Sequence, residues 1–226
     1  MVHDVALQGL PVTFVLDRAG LVGADGPTHH GVLDFAYLRA IPNFVIAAPR
    51  NENDLQHLLA SAAEADGPWA IRIPRGAAPG TPLDPDAKPI PAGMGETLRS
   101  GTDIALLGVG KTVLVLEAAA EQLAERGIQA EVIDARFVKP LDEARIRDAA
   151  SRCQRVMTVE DHFAQGGFGS AVLELLARDV PEARVQVLGH GDQFIEHGDV
   201  VDQWRSSGID ADSIAEKAGS WLAGSR

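Results

Sequence analysis

Apolar positions along the 226 residues recur in short buried-looking runs and in helical stripes, and their order predicts an α/β chain. Residues 2–10 read as the closing turns of an amphipathic helix, and Pro11 leads straight into the run VTFVL at 12–16, a strand. Parallel α/β units place a strand before each helix, so this opening predicts a domain entered part-way through, its start cut. Residues 17–31, DRAGLVGADGPTHHG, lose both periods and read as a glycine-rich loop. A strand is expected at 44–48, a helix at about 52–64 with Asn51 or Asn53 as cap, and another strand at 69–73.

The rhythm then breaks. Pro79, Pro82, Pro85, Pro89 and Pro91 stand among Gly80, Gly93 and Gly95, which excludes helix or central strand over 76–100 and predicts an extended strap. Beyond it, apolar runs at 104–110, 130–135, 155–160 and 184–189 alternate with helical patterns near 112–126, 142–149 and 168–178, and with a last helix capped by Asp210. That alternation predicts a mostly parallel sheet covered by helices on both faces.

Composition narrows the possible partners. An apolar fraction of 46% beside 23% charged residues is ordinary for a globular chain. With 20 Lys and Arg against 32 Asp and Glu, the formal charge of −12 opposes phosphate backbones and anionic bilayers, so neither nucleic acid nor membrane is an expected partner. No run approaches the roughly 18 apolar residues of a membrane span, and the expectation is a soluble, cytoplasmic protein. Cys153 is the single cysteine and reads as a structural thiol, without a companion for a disulfide or a thiolate metal site.

Candidate chemistry gathers at strand ends, where open α/β sheets bind ligands. GVGKT at 108–112 lacks the first glycine of a phosphate loop, since Ala105 stands there, and reads as a tight strand-to-helix turn. Arg18 follows the first apolar strand, and Asp25 and His29 lie four apart in a turn-forming stretch. An imidazole near a carboxylate moves protons close to neutral pH, and an arginine binds a phosphate or carboxylate through two parallel hydrogen bonds. The plainer alternative is a loop locked by its own Asp17, Arg18 and Asp25 side chains. Arg75 ends a second strand and joins Arg18 as a candidate anion ligand, with surface salt bridges as the alternative; Arg72 lies three positions earlier. Glu160, Asp161 and His162 precede glycines that permit close approach of a neighbouring domain. His190, Glu196 and His197 lack a metal-site spacing, and their segment, 189–198, reads as a loop at a domain junction; no metal ligand is expected.

Together DRAGLVGADGPTHHG at 17–31, IPRG at 73–76, GVG at 108–110, VEDHFAQGGFGSAV at 159–172 and DQFIEHGD at 192–199 resemble the transketolase family. Its branch of 1-deoxy-D-xylulose-5-phosphate synthases is the one that the DRAG, EDH and FIEHG elements resemble. The resemblance implies the later part of a pyrimidine-binding domain at 1–78, a proline-rich linker at 79–100 and a complete transketolase C-terminal domain at 101–226. It implies that thiamine diphosphate and Mg2+ serve the full-length enzyme, with their anchoring residues mostly outside this chain. Pyruvate and glyceraldehyde 3-phosphate are the implied substrates, and a homodimer the implied assembly. Arg18 and Arg75 then correspond to ligands of the acceptor's phosphate, and Asp25 and His29 to the pair that orients and polarises its aldehyde. The chain departs from the family at His190 and Gly191, where isoleucine and proline are common, and at Ile73, where tyrosine is usual. By this reading the chain alone is inactive. Another transketolase-like component, for sugar ketol transfer or of 2-oxo acid dehydrogenase β type, and a non-catalytic dimerising fragment are the alternatives.

Overall fold

The computed structural model describes residues 1–224, so the last two positions of the expected 101–226 domain lie outside the described residues. The opening segment winds more loosely than expected. Val2–Ala6 forms a π-helical turn, with Ala6 N donating to Met1 O and Leu7 N to Val2 O. Past Pro11 the β-branched and aromatic run sets β1 (Thr13–Ala19). The first region continues with α1 (Asp34–Arg39), β2 (Val45–Ala47), α2 (Glu52–Ala63) and β3 (Trp69–Pro74). Asn51 caps α2 by accepting from Asp54 N at 2.9 Å. The proline-rich span stays without regular structure until β4 (Glu96–Arg99).

The second region runs β5 (Ile104–Gly108), α3 (Thr112–Glu125), β6 (Ala130–Asp134), β7 (Phe137–Lys139), α4 (Glu143–Cys153) and β8 (Arg155–Phe163). It finishes with α5 (Phe168–Asp179), β9 (Arg184–His190), α6 (Val200–Ser207) and α7 (Ala211–Ala223), whose N-cap Asp210 accepts from Ser213 N.

Two sheets result. One has the order β4-β6-β5-β8-β9, parallel except for β4, which pairs antiparallel at the edge. The other has the order β1-β3-β2-β7, parallel except for β7. Although β7 lies far along the chain, it closes the first sheet by pairing with β2, so the second region contributes a strand to the first.

The cores cross the same division. Phe35, Leu38, Ile46 and Ala70 of the first region share one buried cluster with Leu107, Ile133, Phe168 and Val172 of the second. The outer face of the second sheet buries Leu106, Leu116, Leu123 and Ile214, and Leu58, Trp69, Ile71 and Phe137 form a cluster beneath α2. Burying aromatic side chains between the two sheets ties the regions through the hydrophobic effect. The C-terminal ends of β1, β3, β5 and β8 thereby come to one side of the junction.

Candidate active site

The loop after β1 is closed at its base by a pair of backbone hydrogen bonds. Gly20 N donates to Gly31 O at 2.8 Å, and Gly31 N donates to Gly20 O at 2.9 Å. Arg18, in a bulge of β1, has φ +59°, a left-handed conformation that is costly for a residue with a Cβ. Within the loop a 3-10 turn, Gly23–Asp25, is followed by Gly26 at φ +72°. A Cβ on Gly26 would collide with the ring of His197, so glycine is what lets the two segments touch.

Two of the four expected site residues meet directly. Arg75 Nη1 lies 2.5 Å from Asp25 Oδ2 and donates to Val22 O at 3.3 Å. Arg18 is exposed and has no acidic partner within 4 Å among the described residues. Its backbone neighbours Arg75, because Ala19 pairs with Pro74 in the β1–β3 register. His29 sits exposed near the loop tip, its Nδ1 2.8 Å from Thr28 Oγ1. A hydrogen-bonded Asp25–His29 pair is not formed among the described residues, since Arg75 takes the carboxylate and Thr28 the imidazole. The expected proton relay within that pair is therefore replaced by an Asp25–Arg75 ion pair. Arg75 also lines a cavity of about 370 Å3 walled by Leu55, Ile73, Leu114, Val115 and Trp204.

Beneath the loop lies a buried set of charges. Arg72, on β3, is enclosed rather than at the surface: its Nε donates to Asp34 Oδ2 at 2.8 Å, its Nη2 to Asp161 O at 2.9 Å and also to Gly31 O. The guanidinium carbon stands 4.2 Å from the centre of the Phe35 ring. Asp161 accepts from Leu21 N at 3.1 Å and from His190 Nε2 at 2.8 Å, and it pairs with Lys111 at 3.0 Å. Burial pushes this carboxyl up, but the His190 hydrogen bond and the Lys111 charge outweigh it and hold the group far below the usual carboxylate range. Lys111, the lysine of the GVGKT turn, is thus spent internally, and it lies 4.7 Å from the centre of the Trp204 ring.

Glu160 caps α5 by accepting from Phe168 N at 2.6 Å and Gly169 N at 2.8 Å, while burial raises its pKa to about 8. Burial and then the neighbouring Arg72 charge lower His162 to about 4. His30 accepts from Val22 N through Nδ1 at 3.1 Å and donates from Nε2 to Ile195 O at 3.1 Å. It keeps a lowered pKa, mainly through burial. Of the segment 189–198, expected as a loop, Gly189 and His190 instead end β9, and Ile195 meets the first region by accepting from His30 through its carbonyl. Among the described residues no group of three or more His, Cys, Asp or Glu is placed to hold a metal ion. No described helix is long and apolar enough to cross a membrane.

An exposed arginine beside an arginine–aspartate pair, with an exposed imidazole on the same loop, is suited to binding a small anion and polarising a group attached to it. Residues 93–214 match the model of the transketolase C-terminal domain, and residues 1–81 match the transketolase pyrimidine-binding domain. The chain belongs to the transketolase family. Similar relatives include a 1-deoxy-D-xylulose-5-phosphate synthase of Thermomicrobium roseum, 51% identical over 99% of this chain and 36% of the relative. Another is 1-deoxy-D-xylulose-5-phosphate synthase 1 of Geobacter sulfurreducens, 52% identical over 98% of this chain and 35% of the relative. The chain therefore spans about a third of the length of these synthases. Among solved structures, a split-gene transketolase described as an inactive β4 tetramer superposes with a TM-score of 0.85 at 28% identity. That match covers 98% of this chain and 70% of the other.

Proposed function

We propose that this chain supplies the acceptor side of a thiamine-diphosphate-dependent synthase. The reaction joins pyruvate to glyceraldehyde 3-phosphate, yielding 1-deoxy-D-xylulose 5-phosphate and carbon dioxide. The observation that carries the reading is the Arg75–Asp25 pair beside Arg18 and the exposed His29, in a chain about half identical to synthases along its length. Arg18 and Arg75 bind the acceptor's phosphate through charge-assisted, forked hydrogen bonds. Asp25 fixes the Arg75 guanidinium. His29 donates to the aldehyde oxygen as negative charge grows there, an interaction stronger in the transition state than in the ground state.

Thiamine diphosphate with Mg2+ supplies the reactive carbon when bound, and a diphosphate-binding portion outside these 226 residues holds it. In this reading residues 1–78 belong to the pyrimidine-binding domain, 79–100 to a linker and 101–226 to the C-terminal domain. The working assembly is a homodimer in the cytoplasm, a setting that suits a lone buried thiol, Cys153, whose pKa burial pushes up to about 12. The test combines the chain with a diphosphate-binding portion taken from a synthase and measures pyruvate-dependent consumption of glyceraldehyde 3-phosphate. Turnover in the mixture and none with either part alone is expected. A folded, associated complex without turnover would overturn the reading.

The likeness to an inactive β4 tetramer favours a second reading of the chain on its own, as a self-associating form without activity. Light scattering on the purified chain decides it: a mass of several chains supports self-association, and a monomer removes it.

A further inference from the structure

The candidate loop is held from outside its own domain. Both oxygens of Asp161, on β8, lie within hydrogen-bond reach of Leu21 N, at 3.1 and 3.3 Å. Gly20 makes this approach feasible, since a Cβ there would fall on the carboxylate. Asp161 is fixed in turn by Lys111 and by His190 Nε2, and His190 Nδ1 meets Ser207 Oγ at 3.0 Å. His190 and Asp161 are both buried. A second tie runs in parallel, with His30 joining Val22 N to Ile195 O. The adjacent amides of Leu21 and Val22 are thus both anchored to the second region, directly or through the His30 ring. Val22 O also receives the guanidinium of Arg75, whose other partner is Asp25.

The order Ser207, His190, Asp161 is that of a nucleophilic triad, but the serine lies in the last turn of α6. The free backbone groups of a helix end are carbonyls, which repel an oxyanion. Hydrolysis is not the use of this trio.

We propose that the chain Ser207–His190–Asp161–Leu21, together with the His30 tie, sets the position of the acceptor-binding loop, which makes His190, Asp161 and His30 positioning residues for the acceptor step. The proposal rests on the reading of residues 20–31 given above. It assigns the C-terminal region a part in substrate geometry although none of these side chains needs to touch substrate. Outer hydrogen-bond partners act in this way by holding contact groups in register.

The test uses His190→Leu, which removes the donor to Asp161, and His190→Gln, whose amide nitrogen can reach the same carboxylate. In the assembled synthase, H190L should raise KM for glyceraldehyde 3-phosphate about tenfold. KM for pyruvate should stay within about twofold, and H190Q should recover most of the loss. In the 226-residue chain, hydrogen exchange at the Leu21 and Val22 amides should quicken in H190L and not in H190Q, with β5 unchanged. An unchanged acceptor KM in H190L, or equal rises in both KM values, would overturn the proposal. So would unchanged exchange, which judges the tie even where assembly gives no turnover. His29→Ala separates the two ideas: full activity in H29A removes the acceptor-loop reading, whereas a loss in H29A without one in H190L removes only the positioning role.

Discussion

Two groups of ionisable residues, one on the loop after β1 and at the end of β3 and the other buried beneath them, are treated in opposite ways. On the outer side, Arg18 and His29 are exposed and Arg75 is half-exposed, with Asp25 its only acidic partner among the described residues. On the inner side, Arg72, Asp34, Glu160, Asp161, His162 and His190 are all buried, and the hydrogen bond from Arg72 to Asp161 O joins the two regions. Surface charges contribute little to stability, whereas a buried charge deprived of its partner is costly. The outer group is consequently free to meet a ligand, and the inner group fixes where that meeting happens. Sequence type does not separate them, since Arg72 and Arg75 lie three positions apart on one strand end and fall on opposite sides of the division.

Arg72→Met tests the inner side most severely. It leaves Asp34 without its bidentate-capable partner in the core and should lower unfolding free energy by about 3–5 kcal/mol in urea titration. A loss below about 1 kcal/mol would mean that the buried network carries no such weight.

A smaller effect is expected in the dependence of stability on pH. Glu160 has its folded pKa raised from 4.5 to about 8, so the folded state keeps a proton that the unfolded state releases. Its contribution is complete below the unfolded value and is lost as pH rises towards 8. His162, lowered from 6.5 to about 4, acts in the opposite sense: its contribution is present above 6.5 and is lost as pH falls through 4. Glu160→Gln should therefore flatten the decline in stability between pH 5 and about 8, seen in thermal midpoints across that range. An identical pH profile in E160Q would remove Glu160 from this account.

On the outer side, Arg18→Gly should be more stable than Arg18→Ala by about 1 kcal/mol, because glycine accepts the left-handed conformation at φ +59°. His29→Ala should change unfolding free energy by less than about 0.5 kcal/mol while reducing turnover in the assembled synthase. A large stability loss in H29A would place His29 with the inner group and blur the division.

Long apolar runs made most of the fold legible. The runs at 69–73, 104–110, 130–135 and 184–189 became β3, β5, β6 and β9, and the caps Asn51 and Asp210 stand where side-chain chemistry put them. The missed elements are short. α1 has six residues, β7 three and α6 eight, too few turns or alternations to stand out as a period. β7 and β4 also owe their existence to partners distant in sequence.

In the site, the strand-end arginines and the polar loop were visible because chemistry and turn residues cluster there. The pairing of Asp25 with Arg75 was not, since it spans fifty positions and depends on the β1–β3 register. The tie from Leu21 to Asp161 crosses 140 positions, and Gly20, where a Cβ would fall on the Asp161 carboxylate, has no side chain to show it in the sequence. His30 stands beside His29 in the sequence, and nothing in its own spacing marks it. Its importance lies in two backbone partners that composition does not reveal.

The division between outer and inner charges is tested most directly by the acceptor KM of the double variant Arg18→Ala, Arg75→Ala in the assembled synthase. Losing two charge-assisted hydrogen-bonding groups should raise KM for glyceraldehyde 3-phosphate by about 100-fold or more. KM for pyruvate and the unfolding midpoint should stay nearly unchanged. A rise shared equally by both substrates, or no rise at all, would contradict the assignment of the outer group to the acceptor's phosphate.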